Sequence, residues 1–157
     1  MNQRLKQILS ALFLPLSIGL LSALLTGSAM MTFRLMEKPP LSPPGWLFPV
    51  VWTVLYLLMG TASFLVFSSP TATSEDIRQA LFSYGLQLFF NFFWSLLFFG
   101  MKAYLPAFLW LCVLLFLILL TTLQFYRIDK RAAYLMIPYI LWVTFAGYLN
   151  LTIYLLN

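Results

Sequence analysis

Gln87 and Asn91 are the side chains hardest to place in this chain. Both are amides inside the charge-free stretch Gln79–Met101, and an amide left without a partner in an apolar medium is strongly penalised. Trp94 and Ser95 lie three and four residues beyond Asn91, as Gln87 lies four before it, so a helix gathers all of them on one face. A second set falls in 132–157. There Tyr139, Trp142, Ala146 and Asn150 follow at spacings of three, four and four, with small Ala146 leaving room between its larger neighbours. A third set starts at Trp52 and Tyr56 and continues through Met59, Gly60 and Ser63. These groups can stack rings and exchange hydrogen bonds, and they hold little that transfers protons. The sequence has no histidine, so it lacks the commonest general base near neutral pH and the commonest metal ligand. Its carboxylates, Glu37, Glu75, Asp76 and Asp129, all fall in connections or at predicted helix ends. No Ser/His/Asp set, metal-spaced cluster or glycine-rich phosphate loop is found, and no metal is expected.

The elements that must carry these residues follow from charge. Hydrophobic residues make up 62% of the 157 and charged residues 8%, against roughly 25% charged in ordinary globular chains. Lipid, not water, is the solvent that suits such a surface. Charged residues divide the chain into five long apolar runs, each able to hold the roughly 20 residues a membrane helix needs. The runs are unbroken, as at Leu111–Leu120, and do not alternate as barrel strands do. An all-α bundle of five transmembrane helices in one domain over 1–157 is therefore expected. The helices are predicted near 8–31, 45–67, 77–99, 102–126 and 131–155, with a connection over 32–44. That connection contains Pro39, Pro40, Pro43 and Pro44 and must be stiff and non-helical. Pro44 is expected in the first turn of the second helix, and Ser74 at the N-cap of the third, ahead of Glu75 and Asp76.

The net charge of +5 is confined to connections and helix ends, unlike the gathered basic face of a nucleic-acid-binding protein. With the N-terminus inside, the inner ends hold Arg4, Lys6, Arg78, Arg127, Lys130 and Arg131, and the outer ends hold Arg34, Lys38 and Lys102. The excess favours N-terminus in and C-terminus out. No carboxylate sits at mid-membrane depth, which argues against a proton-coupled pump. Gly19, Ala23 and Gly27, four apart with Ser22 and Thr26 beside them, form a small-residue stripe that permits close helix approach, within the chain or in a dimer. On spacing alone, the inward aromatic and amide sets admit two readings. They could line a cavity for a flat, mostly apolar ligand, or they could bind helices together through interhelical hydrogen bonds.

Three blocks of sequence bear on that choice. The run Pro43-Pro44-Gly45-Trp46-Leu47-Phe48-Pro49-Val50-Val51-Trp52-Thr53-Val54-Leu55-Tyr56-Leu57-Leu58-Met59-Gly60 resembles the signature of the translocator protein family, also called the tryptophan-rich sensory protein or peripheral-type benzodiazepine receptor family. The block Gln87–Ser95 resembles its third-helix motif. Pro138-Tyr139 through Trp142, Ala146, Tyr148-Leu149-Asn150 and Asn157 resemble its fifth. The resemblance implies a bacterial cell-membrane protein, often a homodimer, that binds porphyrins (protoporphyrin IX and haem) and drug-like aromatic ligands in a pocket beneath the first connection. By this resemblance the ligand-binding positions are Trp52, Tyr56, Asn91, Trp94, Ser95, Trp142, Ala146 and Asn150. It implies a receptor or sensor needing no cofactor. The alternatives it carries are a light-dependent protoporphyrin-degrading enzyme, with Trp52 and Trp142 as the reacting tryptophans, and a tetrapyrrole transporter. Two positions depart from the pattern. Leu41 stands where the family often has tryptophan, and no basic residue follows Arg131 to complete the animal sterol-recognition pattern.

Overall fold

Five long helices account for nearly the whole chain in the computed structural model, which describes residues 2–157; the side chains at 29, 30 and 32, the last opening the predicted connection, lie outside the described set. Helix α1 is Gln3–Arg34, α2 Leu47–Phe67, α3 Ser74–Ser95, α4 Tyr104–Ile128 and α5 Lys130–Leu156. A π-helical turn, Leu96–Gly100, extends α3. All five helices are long and apolar enough to cross a membrane, and no strand occurs among the described residues.

Neighbouring helices pack as a ring. Contacts run from α1 to α2, α2 to α5, α5 to α4, α4 to α3 and α3 back to α1, and α2 also reaches α3 across the centre. The outside is apolar, with Phe13, Leu24, Phe82, Phe116 and Leu141 more than half exposed. The inside holds the amides Gln87, Asn91 and Asn150, at 0%, 3% and 0% exposure. Polar groups thus turn inward and hydrocarbon outward, as lipid requires.

Several ends differ from expectation. Helix α1 continues to Arg34, because nothing before Pro39 stops it. Helix α2 starts later, at Leu47. Pro44 lies outside it, in a turn closed by Leu47 N–H donating to the Pro44 carbonyl at 3.0 Å. Pro49 occupies the first turn instead, where a missing N–H costs nothing. The N-cap of α3 is Thr73 rather than Ser74. Its backbone is extended and its Oγ1 accepts from Asp76 N–H at 3.1 Å, while the hydroxyl donates to the Asp76 carboxylate at 2.7 Å. Helix α4 starts at Tyr104, two residues later than expected, and Lys102 forms the tight connection between the third and fourth helices with φ of 52°, a left-handed conformation unusual for a side-chain-bearing residue.

The first connection, 35–46, is fastened over one end of the bundle. Tyr104 Oη donates to Met36 Sδ at 3.3 Å, and Asn157 Nδ2 donates to the Glu37 carbonyl at 3.1 Å. The connection is thereby tied to the start of α4 and the end of α5. Phe33, just before it, is buried edge-on against Phe48 and Phe99 at centroid distances of 5.8 and 5.7 Å. The π turn helps to make this contact. Met101 N–H reaches back five residues to the Leu96 carbonyl. The wider turn presents both Phe98 and Phe99 to the cluster around Trp94 and Phe33.

Candidate functional site

A cavity of about 690 Å³ lies between α1, α2 and the end of α3, at the bundle end covered by the first connection. Its volume is in the range of small-molecule sites. Helix α1 supplies Gly19, Ser22, Ala23, Thr26 and Gly27; α2 supplies Phe48, Trp52, Thr53 and Tyr56; α3 and the π turn supply Asn91, Trp94, Ser95 and Phe99. The lining residues Leu20, Ala23, Gly27, Pro49 and Thr53 are exposed, so the cavity opens between α1 and α2.

The wall is aromatic. Trp52 and Tyr56, one helical turn apart, are stacked with centroids 5.6 Å apart and planes at 29°. Trp94 stands 6.5 Å from Trp52 and stacks on Phe98 at 5.4 Å. Tyr139 meets Trp52 edge-on at 6.2 Å from behind. The helices come close enough for this because of two glycines. A Cβ on Gly19 would stand 2.3 Å from the Tyr56 ring, and one on Gly60 would stand 2.7 Å from the Ala11 carbonyl oxygen. The predicted small-residue stripe thus serves the chain's own α1–α2 contact at Gly19. Gly27, two turns on, has open space around it.

The amides are used differently from the rings. Tyr56 Oη donates to Asn91 Oδ1 at 2.8 Å, Asn91 Nδ2 donates to Tyr139 Oη at 2.8 Å, and Tyr139 Oη donates to Gln87 Oε1 at 2.7 Å. Gln87 Nε2 ends the chain on Met59 Sδ at 3.7 Å. A second chain runs from Trp94 Nε1 to Asn150 Oδ1 at 3.1 Å, and from Asn150 Nδ2 to the Tyr104 carbonyl at 2.7 Å. Buried amides need such partners, and these chains bind α2, α3, α4 and α5 to one another. Asn91 alone among the amides also borders the cavity.

The structure brings Trp52, Tyr56, Asn91, Trp94 and Ser95 together around the cavity. It places Trp142, Ala146 and Asn150 on α5, outside that lining, with Trp142 and Asn150 touching its outer side at Phe48 and Trp94. Trp142 sits behind Phe48, edge-on at 5.7 Å, and its buried Nε1 has no hydrogen-bond partner among the described residues. Ala146 and Asn150 are buried in the packing of α5. The contribution of α1 to the wall was missed from the sequence, where its small residues signalled packing only. Trp110 on α4 packs against α3, stacking on Phe90 and donating from Nε1 to the Phe90 carbonyl at 2.8 Å.

No group of three or more His, Cys, Asp or Glu side chains able to hold a metal occurs among the described residues. Cys112 is exposed on α4, away from the cavity lining. What the site can do is accept a flat ring system against Trp52, Tyr56 and Trp94, with Ser95 and Thr53 hydroxyls within its borders.

Comparison with known proteins agrees with this architecture. The TspO/MBR family model matches residues 11–156. The tryptophan-rich protein TspO of Chlorobaculum tepidum is 37% identical over 158 residues, covering 100% of this chain and 99% of that one. The tryptophan-rich sensory protein of Cereibacter sphaeroides is 38% identical, over 78% of this chain and 74% of its own. The bovine translocator protein is 32% identical, over 87% of this chain and 82% of its own. With a family match from near the start of α1 to the end of α5, and five helices fit to span a bilayer, the chain is an integral membrane protein of the TspO/MBR family.

Proposed function

We propose that this protein is a membrane receptor or sensor that binds flat aromatic ligands, porphyrins such as protoporphyrin IX and haem foremost, in the cavity between α1, α2 and α3. The observation that carries this reading is the wall formed by Trp52, Tyr56 and Trp94, whose rings gather along one side of a cavity of about 690 Å³. Rings that lie along a cavity offer a planar ligand both burial and face contacts, the latter worth roughly 0.5–1.5 kcal/mol each beyond burial. The relatives' names, sensory protein and translocator protein, are compatible with a ligand-responsive role.

The chain has no imidazole to offer a haem iron. The phenol of Tyr56, which borders the cavity, is already committed to Asn91. Binding then rests on stacking and shape, and metal-free protoporphyrin IX binds about as well as haem. The test is quenching of tryptophan fluorescence by protoporphyrin IX in purified protein. Trp52→Ala is expected to weaken binding about ten-fold, and Trp142→Ala, behind Phe48, to weaken it less. Unchanged affinity in Trp52→Ala overturns the assignment of this cavity.

A second reading, light-dependent porphyrin degradation, is favoured by the same placement of Trp52 against the ligand space, since an indole there can donate an electron to an excited porphyrin. A share for Trp142 requires Phe48 to move aside. Equal rates of pigment loss under light for the wild type, Trp52→Phe and free porphyrin in detergent exclude this reading. The excess of basic residues at the N-terminal side of the bundle supports a protein with its N-terminus inside the cell and its C-terminus outside.

A further inference from the structure

The cavity lining is uncharged except at the end beneath the first connection. Arg34, in the last turn of α1, is the one charged residue among the described residues that line it. It lies against the start of the chain into α2: its Nε is 3.6 Å from the position a Cβ on Gly45 would take. Trp46 lines the same end of the cavity. A cation at a helix C-terminus is ordinarily explained by the carbonyls there. Here Lys38 already fills that role, its Nζ donating to the Arg34 carbonyl at 3.1 Å while resting 5.0 Å from the Phe33 ring centroid. The guanidinium of Arg34 forms neither an ion pair nor a hydrogen bond with any described residue. Its planar set of N–H donors therefore stands at the rim of an apolar, aromatic cavity. That geometry matches the donor pattern of a carboxylate in a bidentate pair.

We infer that Arg34 binds a carboxylate of the ligand, so that the site selects flat aromatic acids, with the ring system against Trp52 and Trp94 and the acid group at the Arg34 end of the cavity. This rests on the cavity reading proposed above and adds to it the class of ligand and its direction of insertion. A ligand with apolar and acidic edges can enter only one way round, because the deep end of the cavity holds no cation. Protoporphyrin IX, with its two propionates on one edge, has that polarity, and so does any aromatic carboxylate of similar breadth. Since Arg34 is exposed and lies beyond the apolar span Gln3–Ser28, the pairing is screened, and its contribution falls as salt rises.

The experiment uses two ligands and two variants. Protoporphyrin IX and its uncharged dimethyl ester are titrated against the full chain in phosphatidylcholine nanodiscs, by tryptophan quenching, for wild type, Arg34→Gln and Arg34→Lys. Arg34→Gln is expected to weaken the diacid about ten-fold and to leave the ester unchanged; the ester also reports that the variant is folded. Arg34→Lys is expected to recover part of the loss, since it keeps the charge without the planar fork. The loss is expected to shrink between low and high salt for the diacid only. Equal effects of Arg34→Gln on the two ligands, or none on either, overturn the inference while leaving the cavity reading intact; Arg34 then serves helix packing or a lipid headgroup. Saturable binding of neither ligand to the wild type overturns both.

Discussion

Asn91 is asked to do two things. It borders the cavity, and both ends of its amide are engaged by Tyr56 and Tyr139. Replacing it by alanine strands the Tyr56 phenol inside the bundle and leaves Tyr139 only its bond to Gln87, so a loss of ligand affinity in Asn91→Ala reports damage to packing as well as a lost contact. Ser95 makes the useful contrast, because it borders the same cavity and its hydroxyl donates to no described group. Without ligand, Asn91→Ala is expected to cost about 1–2 kcal/mol of stability, and Ser95→Ala less than about 0.5 kcal/mol. Unfolding in detergent measured by tryptophan fluorescence checks the pair, and equal midpoints would show that the hydrogen-bonded chain contributes nothing. The inward direction of Gln87, Asn91, Tyr139 and Asn150 was legible from spacing alone, since hydrocarbon leaves a polar side chain no other way to face. Whether each would meet a ligand or a neighbouring helix was not. Both outcomes demand the same inward position, and only the distances across α2, α3 and α5 separate them.

Helices were easier to read than their ends. Charge-free runs locate the five spans because charge is expelled from hydrocarbon, whereas caps depend on single hydrogen bonds among near-equivalent residues. Thr73 and Ser74 could each cap α3, and the cap falls to Thr73 because its Oγ1 reaches Asp76 N–H. The π turn at Leu96–Gly100 has no signal in an apolar run, since it follows from tertiary packing of Phe98 and Phe99. The join between α4 and α5 has a single cap residue. Asp129 joins α4 to α5, accepts from Arg131 N–H at 2.9 Å and pairs with the Arg131 guanidinium at 2.9 Å. That guanidinium, with help from backbone N–H groups, holds the Asp129 carboxyl below its ordinary range. The lowered value means that the charged form stabilises the fold. Its contribution is complete above the unfolded carboxyl value of about 3.9 and is lost as pH falls through the lower folded value. Asp129→Ala is expected to cost about 1 kcal/mol near neutral pH. Asp129→Asn retains a cap and loses only the charge, so its unfolding midpoint should converge with wild type as pH drops below about 4. A gap between those two that persists undiminished at low pH would show that the charge is not what Asp129 contributes.

The five helices do not share the burden of the fold equally, and the cavity lies beside the one that carries least. Only 11% of the most apolar window of α1 is buried inside the protein, against 44% for α5. Helix α1 packs on α2, α3 and the π turn, while α4 and α5 form the most extensive pairing in the bundle. Elements with little buried contact open at the lowest free energy, so the wall of the cavity that moves most readily is α1. Its hold on α2 depends on two close approaches, Gly19 against the Tyr56 ring and Gly60 against the backbone at Ala11 and Leu12. A methyl group at Gly19 has no room, and either the Tyr56 ring must swing into the cavity or α1 must lift away from α2. A methyl group at Gly27 meets nothing within 4 Å. Hydrogen exchange of the detergent-solubilised protein can read this difference along the chain. Amides of residues 16–26 are expected to exchange faster than those of α4 and α5, faster still in Gly19→Ala, and unchanged in Gly27→Ala. A ligand seated between α1 and α2 should slow the α1 amides while leaving the α4–α5 pair as it was. Protection gained evenly over all five helices would mean that ligand tightens the bundle as one body, and that α1 is not the movable wall.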